Sequence, residues 1–242
     1  MKTILKTRSV GTDFSGSRSR RIMNPNDPTS IRADYDRIAE DYTRKVYGEL
    51  EHKPFDRELL TRFVGAVNGG GTICDMGCGP GHVARFLRDA GGEVAGLDLS
   101  PQMIVQARRL NPDIPFREGN MLALELEDAS LAGITAFYSI VNIPADSLPT
   151  AFREMYRVLQ PEGLLLLSFH IGDEVIRPQA LWSNPVGMEF YQLQPARISR
   201  LLVHAGFDVD EIIERDPYAP EVEYQSRRAY VLARKPACLA AA

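Results

Sequence analysis

The 242-residue chain predicts an α/β fold: a doubly wound, mostly parallel seven-stranded sheet with a C-terminal antiparallel hairpin. Three observations lead there. From residue 72, short apolar runs alternate with helical patterns over short connections, the order that builds a parallel sheet covered by helices on both faces. A glycine-rich turn stands where the first run gives way to the first of these helices. The last two apolar runs follow one another with no helix between them, which suits an antiparallel pair.

The elements can be taken in order. Residues 1–21 carry Lys2, Lys6, Arg8, Arg18, Arg20 and Arg21 against one acid, Asp13, with four serines interspersed. Such a leader reads as a tail over 1–30, mobile or folded over the site, or as an organelle transit segment. Ile31, Tyr35, Ile38, Tyr42 and Val46 then recur at helical steps. A second helix starts at Pro54, with an apolar stripe through Leu59, Leu60, Phe63, Val64 and Val67, and stops at the triplet Gly69-Gly70-Gly71. Together they form a pair of cap helices over 31–68.

The core follows over 69–236, with a short tail over 237–242. Strands are predicted at 72–76, 93–97, 114–117, 134–140, 164–169, 207–213 and 228–233. Helices are predicted at 81–90, 100–110 with Ser100 as cap, 146–159 closed by Pro161, and 198–205 stopped by Gly206. Residues 172–194 fall between the fifth strand and the last helix as an insertion.

Composition narrows the function. With 44% hydrophobic residues the chain has the make-up of an ordinary globular domain, and its length suffices to bury a core without staples. A net charge of -4 argues against nucleic-acid and anionic-membrane partners, which call for a basic face. Three cysteines have the wrong parity for a disulfide framework, and no His or Cys cluster has metal-ligand spacing. A cytoplasmic protein without a metal is expected, and no apolar run reaches the roughly 18 residues of a membrane span.

The sharpest motif is Asp75-Met76-Gly77-Cys78-Gly79-Pro80-Gly81-His82. A dinucleotide fingerprint starting at Gly77 would place its third glycine at position 82, where this chain has His82. The pattern is G-x-G-x-G, preceded by an acid. The second predicted strand leads to Asp98, 23 residues after Asp75, where a carboxylate can accept from both ribose hydroxyls of an adenosine. Asp98 could instead cap the next helix, although Ser100 already suits that position.

With these stretches, with 94–103, 117–121, 132–144 and 152–169, and with the leading Tyr35-Asp36-Arg37-Ile38-Ala39-Glu40-Asp41-Tyr42, the sequence resembles the class I S-adenosylmethionine-dependent methyltransferases. The group meant is the one that includes ubiquinone/menaquinone-type and natural-product enzymes, and it implies a Rossmann-like fold. The resemblance implies S-adenosylmethionine as cofactor, with Tyr35 and Tyr42 on a covering helix. Gly77, Cys78, Gly79, Gly81 and His82 would surround its methionine part, and Asp75 would meet the amino group. Asp98 would hold the ribose, with Leu99 and Met103 on the adenine. Asn120 stands where relatives usually carry Asp and can still accept from the adenine amino group. Met121 would border the ring, and Phe137 and Tyr138 the sulfonium.

Methyl transfer needs alignment and exclusion of water more than a catalytic group. His170, after the fifth strand, is a candidate base or a structural imidazole. Asn142, at a position often His in relatives, is a candidate for orienting substrate. Trp182, Phe190 and Tyr191 in the insertion 172–194 would wall a small-molecule substrate pocket or form a satellite core. A monomer or homodimer methylating N, O or C of a small molecule is the leading expectation. A cofactor-binding regulatory or non-methylating protein, and a dinucleotide oxidoreductase, are the alternatives.

Overall fold

The computed structural model describes residues 27–67 and 70–237. Helix α1 (Pro28–Val46) is started by Asp27, whose carboxylate accepts from Thr29 N at 2.9 Å, with Pro28 supplying a preset first turn. The helix therefore begins inside the expected tail 1–30. The remainder of that tail, 1–26, and residues 238–242 lie outside the described residues. A 3-10 turn, Glu49–His52, leads into α2 (Pro54–Val67).

Strand β1 (Ile73–Met76) is followed by α3 (His82–Asp89), β2 (Val94–Asp98), α4 (Pro101–Leu110) and β3 (Phe116–Glu118). Then come β4 (Leu131–Phe137), α5 (Leu148–Val158) and the long β5 (Leu159–His170). Two small ribbons occupy the insertion: β6 (Val175–Ile176) pairs with β9 (Phe190–Tyr191), and β7 (Ala180–Leu181) with β8 (Asn184–Pro185). Helix α6 (Pro195–Ala205), β10 (Asp208–Arg215) and β11 (Arg228–Arg234) complete the order.

The main sheet runs β10-β11-β5-β4-β1-β2-β3. Strands β1 to β5 are parallel, while β11 is antiparallel to both β5 and β10. The chain winds outward from β1 through β2 to β3, then crosses back to β4 on the other side of β1. That reversal opens a crevice beyond the carboxyl ends of β1 and β4, where ligands bind in open sheets of this kind.

Both faces of the central strands are buried, so they read as continuous apolar runs. Within Leu164-Leu165-Leu166-Leu167 the pleat sends Leu165 and Leu167 into the core under α5 and α6. It sends Leu166 to the opposite core, with Leu60, Phe63 and Leu87 of α2 and α3. A third, small core joins Ile38 and Ala39 of α1 to Met103 of α4 and Met188 of the insertion.

Several predicted boundaries move. The fourth strand spans Leu131–Phe137, not 134–140, because Tyr138 takes a left-handed backbone (φ 50°) and Ile140–Asn142 coils into a 3-10 turn. The third strand starts two residues late, since Ile114 N is used by Asn111 O. The fifth is extended through Pro161 to Leu159, and the last helix begins at Pro195, whose missing N–H suits a first turn.

Candidate functional site

The motif turn lies over the crevice. Gly77 N and Cys78 N both donate to Leu97 O, at 2.7 and 3.1 Å, and this binds the turn to β2. Asp98 adds a second tie: one carboxylate oxygen accepts from Gly79 N and the other from Ser100 N, each at 2.8 Å. Ser100 is the true cap of α4, accepting from Met103 N at 3.1 Å. Asp98 thus braces the turn while remaining on the wall of the cleft. Burial pushes its carboxyl up to about 6, against the pull of the two N–H groups.

The cleft has a cavity volume of about 100 Å³ and opens to solvent. Its floor is Gly77 and Gly79. One wall is Leu97, Asp98, Leu99 and Met103, and the next is Gly119, Asn120, Met121 and Leu122. Phe137, Tyr138, Ser139, Asn142, Ile143 and Pro144 close the far side, and Pro28, Ile31, Tyr35 and Tyr42 of α1 form the roof. The structure therefore assembles, from five separate elements, Tyr35, Tyr42, Gly77, Gly79, Asp98, Leu99, Met103, Asn120, Met121, Phe137, Tyr138 and Asn142 of the sequence-predicted set. Sequence reasoning missed Leu97, Gly119 and Ser139 and the apolar rim Pro28, Ile31, Leu122, Ile143 and Pro144. Two of them carried a signal: Ile31 as a member of the stripe of α1, and Leu97 as the end of the predicted strand 93–97.

The roof is held by the acids of the leading motif. Asp36 of α1 accepts from Ser100 Oγ at 2.6 Å and Gln102 N at 3.1 Å, which fastens the helix to α4. Asp34 accepts from Gly187 N and Met188 N at 2.7 and 2.9 Å, and Asp41 from Asn184 Nδ2 at 2.7 Å, which fastens the insertion. Asn142 accepts from the Tyr35 hydroxyl at 2.8 Å and donates to Glu189 O at 3.0 Å. Its amide is a clasp between roof, insertion and β4 loop, and the residue also lines the cleft.

Other expected positions are corrected. Asp75 is fully buried behind the turn, its oxygens taken by Thr135 Oγ1 at 3.0 Å and Ala84 N at 3.1 Å. Cys78 is buried in the core under β2 and β3, its thiol pushed up by burial. Gly81 packs against the Phe116 ring and Asn111, leaving 2.8 Å for any added Cβ. His82 turns away to Glu49, 3.1 Å from Nε2. None of the four lines the cleft.

His170, Trp182, Phe190 and Tyr191 do not line it either. The His170 ring lies between Tyr138 and Tyr224, and its Nδ1 is 2.7 Å from Ser226 Oγ. Burial, with the charges of Arg228 and Lys53, pushes its pKa down to about 4. Trp182 meets Tyr42 edge-on at 5.8 Å, Phe190 packs into the third core, and the Tyr191 hydroxyl donates to Glu189 at 2.9 Å. Among the described residues no group of three or more His, Cys, Asp or Glu could hold a metal ion, and no helix is long and apolar enough to cross a membrane.

Behind Tyr138 sits a charged cluster without any sequence signature. Glu223 meets Arg215 at 2.6 Å and Arg228 at 3.0 Å, and Asp56 meets Arg215 at 3.0 Å. The Tyr230 hydroxyl donates to Asp56 at 2.9 Å and lies 3.2 Å from that of Tyr138.

The turn itself yields a stability test. Gly77 has φ 71°, and a Cβ there would stand 2.3 Å from Ser139 Cβ. Gly91 has φ 98° with nothing within 4 Å of its Cβ position. Gly91→Ala is expected to cost about 1–2 kcal/mol, the left-handed penalty alone, and Gly77→Ala clearly more. Urea unfolding of both variants measures the difference, and equal losses would mean that Ser139 yields freely.

Comparison with known proteins agrees with this geometry. Residues 73–163 match the family model described as a methyltransferase domain. The chain is 31% identical over 160 residues to the malonyl-[acyl-carrier protein] O-methyltransferase of Enterobacter lignolyticus, covering 66% of this chain and 61% of the relative. It is 31% identical over 157 residues to the 2-phytyl-1,4-naphtoquinone methyltransferase of Nostoc sp., covering 58% and 65%. The chain thus spans less than two thirds of the length of these relatives. Among solved structures, the [4+2]-cyclase SpnF aligns with TM-score 0.66 and 17% identity over 87% of this chain and 97% of that one. The putative methyltransferase solved with the Trm112 activator of Haloferax volcanii aligns with TM-score 0.63 and 21% identity over 88% and 100%. At these identities the structural likeness establishes the fold.

Proposed function

Because residues 73–163 belong to the methyltransferase domain family and the described chain carries the class I methyltransferase fold, we propose that it binds S-adenosylmethionine in the cleft and transfers a methyl group to N, O or C of a small molecule. The observation that carries this reading is Asp98, a carboxylate on the cleft wall directly beside the two floor glycines.

The lining fits the ligand. Asp98 would accept from the ribose hydroxyls. Leu99, Met103 and Met121 would sandwich the adenine, with Asn120 at its edge. Gly77 and Gly79 present bare backbone where the amino-acid part would lie. Phe137 and Tyr138 would offer aromatic surface to a cation. The bound cofactor supplies an electrophilic methyl group on a sulfonium. What the chain supplies is placement: α1 and the insertion 172–194 keep water out, and the walls align donor and acceptor. Such positioning is worth roughly 7–11 kcal/mol in well-aligned systems. The acceptor would enter under the insertion, near Trp182. We place the reaction in the cytoplasm, on the strength of Cys74 and Cys78, both buried and free.

The test is calorimetry with S-adenosylmethionine, S-adenosylhomocysteine and NAD, followed by incubation with methyl-labelled cofactor and cell metabolites. One site per chain for the two sulfur ligands and a labelled small product are expected. Binding of NAD alone would overturn the cofactor. Cofactor binding with no labelled product from any extract would overturn the transfer.

A further inference from the structure

One side chain joins the wall of the cleft to the charged cluster behind it. Tyr138 lines the cleft, and its hydroxyl meets that of Tyr230 at 3.2 Å. Tyr230 is fully buried on β11; its hydroxyl donates to Asp56 Oδ1 and accepts from Arg215 Nε, both at 2.9 Å. Asp56, in the first turn of α2, is fully buried as well, and its other oxygen accepts from Arg215 Nη2 at 3.0 Å. A hydroxyl has one proton to give, and an ionised carboxylate beside a guanidinium can only accept. The Tyr230 proton is therefore committed to Asp56, and Tyr138 is the donor between the two tyrosines. Among the described residues the Tyr138 oxygen makes no other hydrogen bond, so it faces outward as an acceptor. Lys53 Nζ and the Arg228 guanidinium stand 5.6 and 5.9 Å from the centre of its ring, which favours negative charge on the phenol oxygen. Tyr138 itself holds a left-handed backbone (φ 50°), strain of the kind that collects at active sites.

We propose that Tyr138, Tyr230 and Asp56 carry away the proton of the methyl acceptor, which makes that acceptor an N–H or O–H nucleophile. This rests on the transfer reading above and narrows it. The acceptor donates its hydrogen bond to the Tyr138 oxygen. Its nitrogen or oxygen bonds to the methyl carbon as the carbon–sulfur bond breaks, and the electron pair of that bond stays on sulfur. The acceptor proton moves to Tyr138, the Tyr138 proton to Tyr230, and the Tyr230 proton to Asp56, which ends as a neutral carboxylic acid. Each oxygen gives one proton as it gains one, so no tyrosinate accumulates. After the product leaves, the proton returns by the same path to water in the open cleft. Burial raises the Asp56 carboxyl above its usual range, against Arg215 and Tyr230, which suits it to hold a proton. Tyr138 is then the catalytic residue, and Tyr230 and Asp56 act through it.

The experiment measures the initial rate of label transfer from methyl-labelled S-adenosylmethionine into a cell metabolite extract, for wild type and Tyr230→Phe. The substitution keeps the ring packed on Phe55 and Phe137 and cuts the path. The rate is expected to fall roughly 10²–10⁴-fold, the usual share of general base catalysis. Calorimetry with S-adenosylhomocysteine is expected to give the wild-type affinity, since Tyr230 does not line the cleft. Rising imidazole buffer is expected to restore part of the lost rate, as an external base entering the open cleft, and to leave wild type unmoved. Loss of a structural hydroxyl would lower the melting temperature and give no response to imidazole. Asp56→Asn, which keeps the shape and cannot take the proton, is expected to show the same fall and the same rescue. An undiminished rate in either variant, or a fall that imidazole does not relieve, overturns the path while the transfer reading stands. Wild type that binds S-adenosylhomocysteine and labels nothing overturns both.

Discussion

Asp98→Ala is expected to weaken binding of S-adenosylmethionine at least tenfold in a protein that still folds. The variant removes a charge-assisted acceptor for two ribose hydroxyls, roughly 1.5–3 kcal/mol. It also releases Gly79 N, so the turn loses its tie to β2 at the same stroke. The fold should survive, because Leu97 O still holds Gly77 and Cys78 and Ser100 still caps α4. Unchanged affinity in a folded variant would mean that Asp98 serves the turn alone.

A pH dependence follows from the same group. Its carboxyl is pushed up to about 6 by burial, and the ribose hydroxyls favour the ionised form. Binding below pH 6 must therefore release a proton, and wild-type affinity is expected to fall as pH drops below about 6. The effect on ligand-free stability has the opposite sense. A carboxyl raised above its unfolded value binds more protons in the folded state between about pH 4 and 6. Its contribution is greatest at low pH and is lost as pH rises through 6. The stability of Asp98→Ala relative to wild type should thus improve from pH 4 to pH 7, read by thermal unfolding of both proteins. A flat difference would show that Asp98 is ionised throughout.

Glu223→Ala is expected to be among the most destabilising single substitutions in the chain. The side chain is 2% exposed and accepts from Arg215 and from Tyr218 N, both at 2.6 Å. Arg228, also 2% exposed, has Glu223 as its carboxylate partner at 3.0 Å. Without it a buried guanidinium keeps only Ser226 and Tyr224 oxygens, whereas Arg215 retains Asp56. Stranding one member of a buried pair costs about 3–5 kcal/mol. In a chain of this size that is roughly 6–20 °C of melting temperature. Burial raises the Glu223 pKa, but Arg215, the Tyr218 N–H and Arg228 outweigh it and hold the carboxyl below its usual range. Its contribution is therefore present above about pH 4.3 and lost on acidification. A loss under 1 kcal/mol would mean that the cluster is solvated and adaptable.

The sequence by itself determined the sheet and the location of the cleft. Buried parallel strands advertise themselves as apolar runs, as in Leu164 to Leu167. A tight strand-to-helix turn demands glycine, so Gly77 and Gly79 marked the floor without any coordinates. Asp98 was legible as a cleft residue because its place at the end of β2 follows from distance along the chain. What only the tertiary structure decided depends on direction and on distant partners. Asp75 and His82 belong to the same motif as Gly77, yet Thr135 and Glu49, 60 and 33 residues away, draw their side chains out of the cleft. The end of β4 at Phe137 is set by pairing with β1 and β5 and by the left-handed Tyr138, against an apolar pattern that runs on to Val141. The chain of groups from Tyr138 through Tyr230 to Asp56 became visible only once the fold set residues 92 and 174 positions apart side by side. The charged cluster draws on positions 56, 215, 223 and 228, and residues that far apart share no local period. Periodicity and backbone chemistry are local and can be read along the chain. The burial of a charge or a hydroxyl is a property of the packed molecule, because it depends on what the fold brings around it.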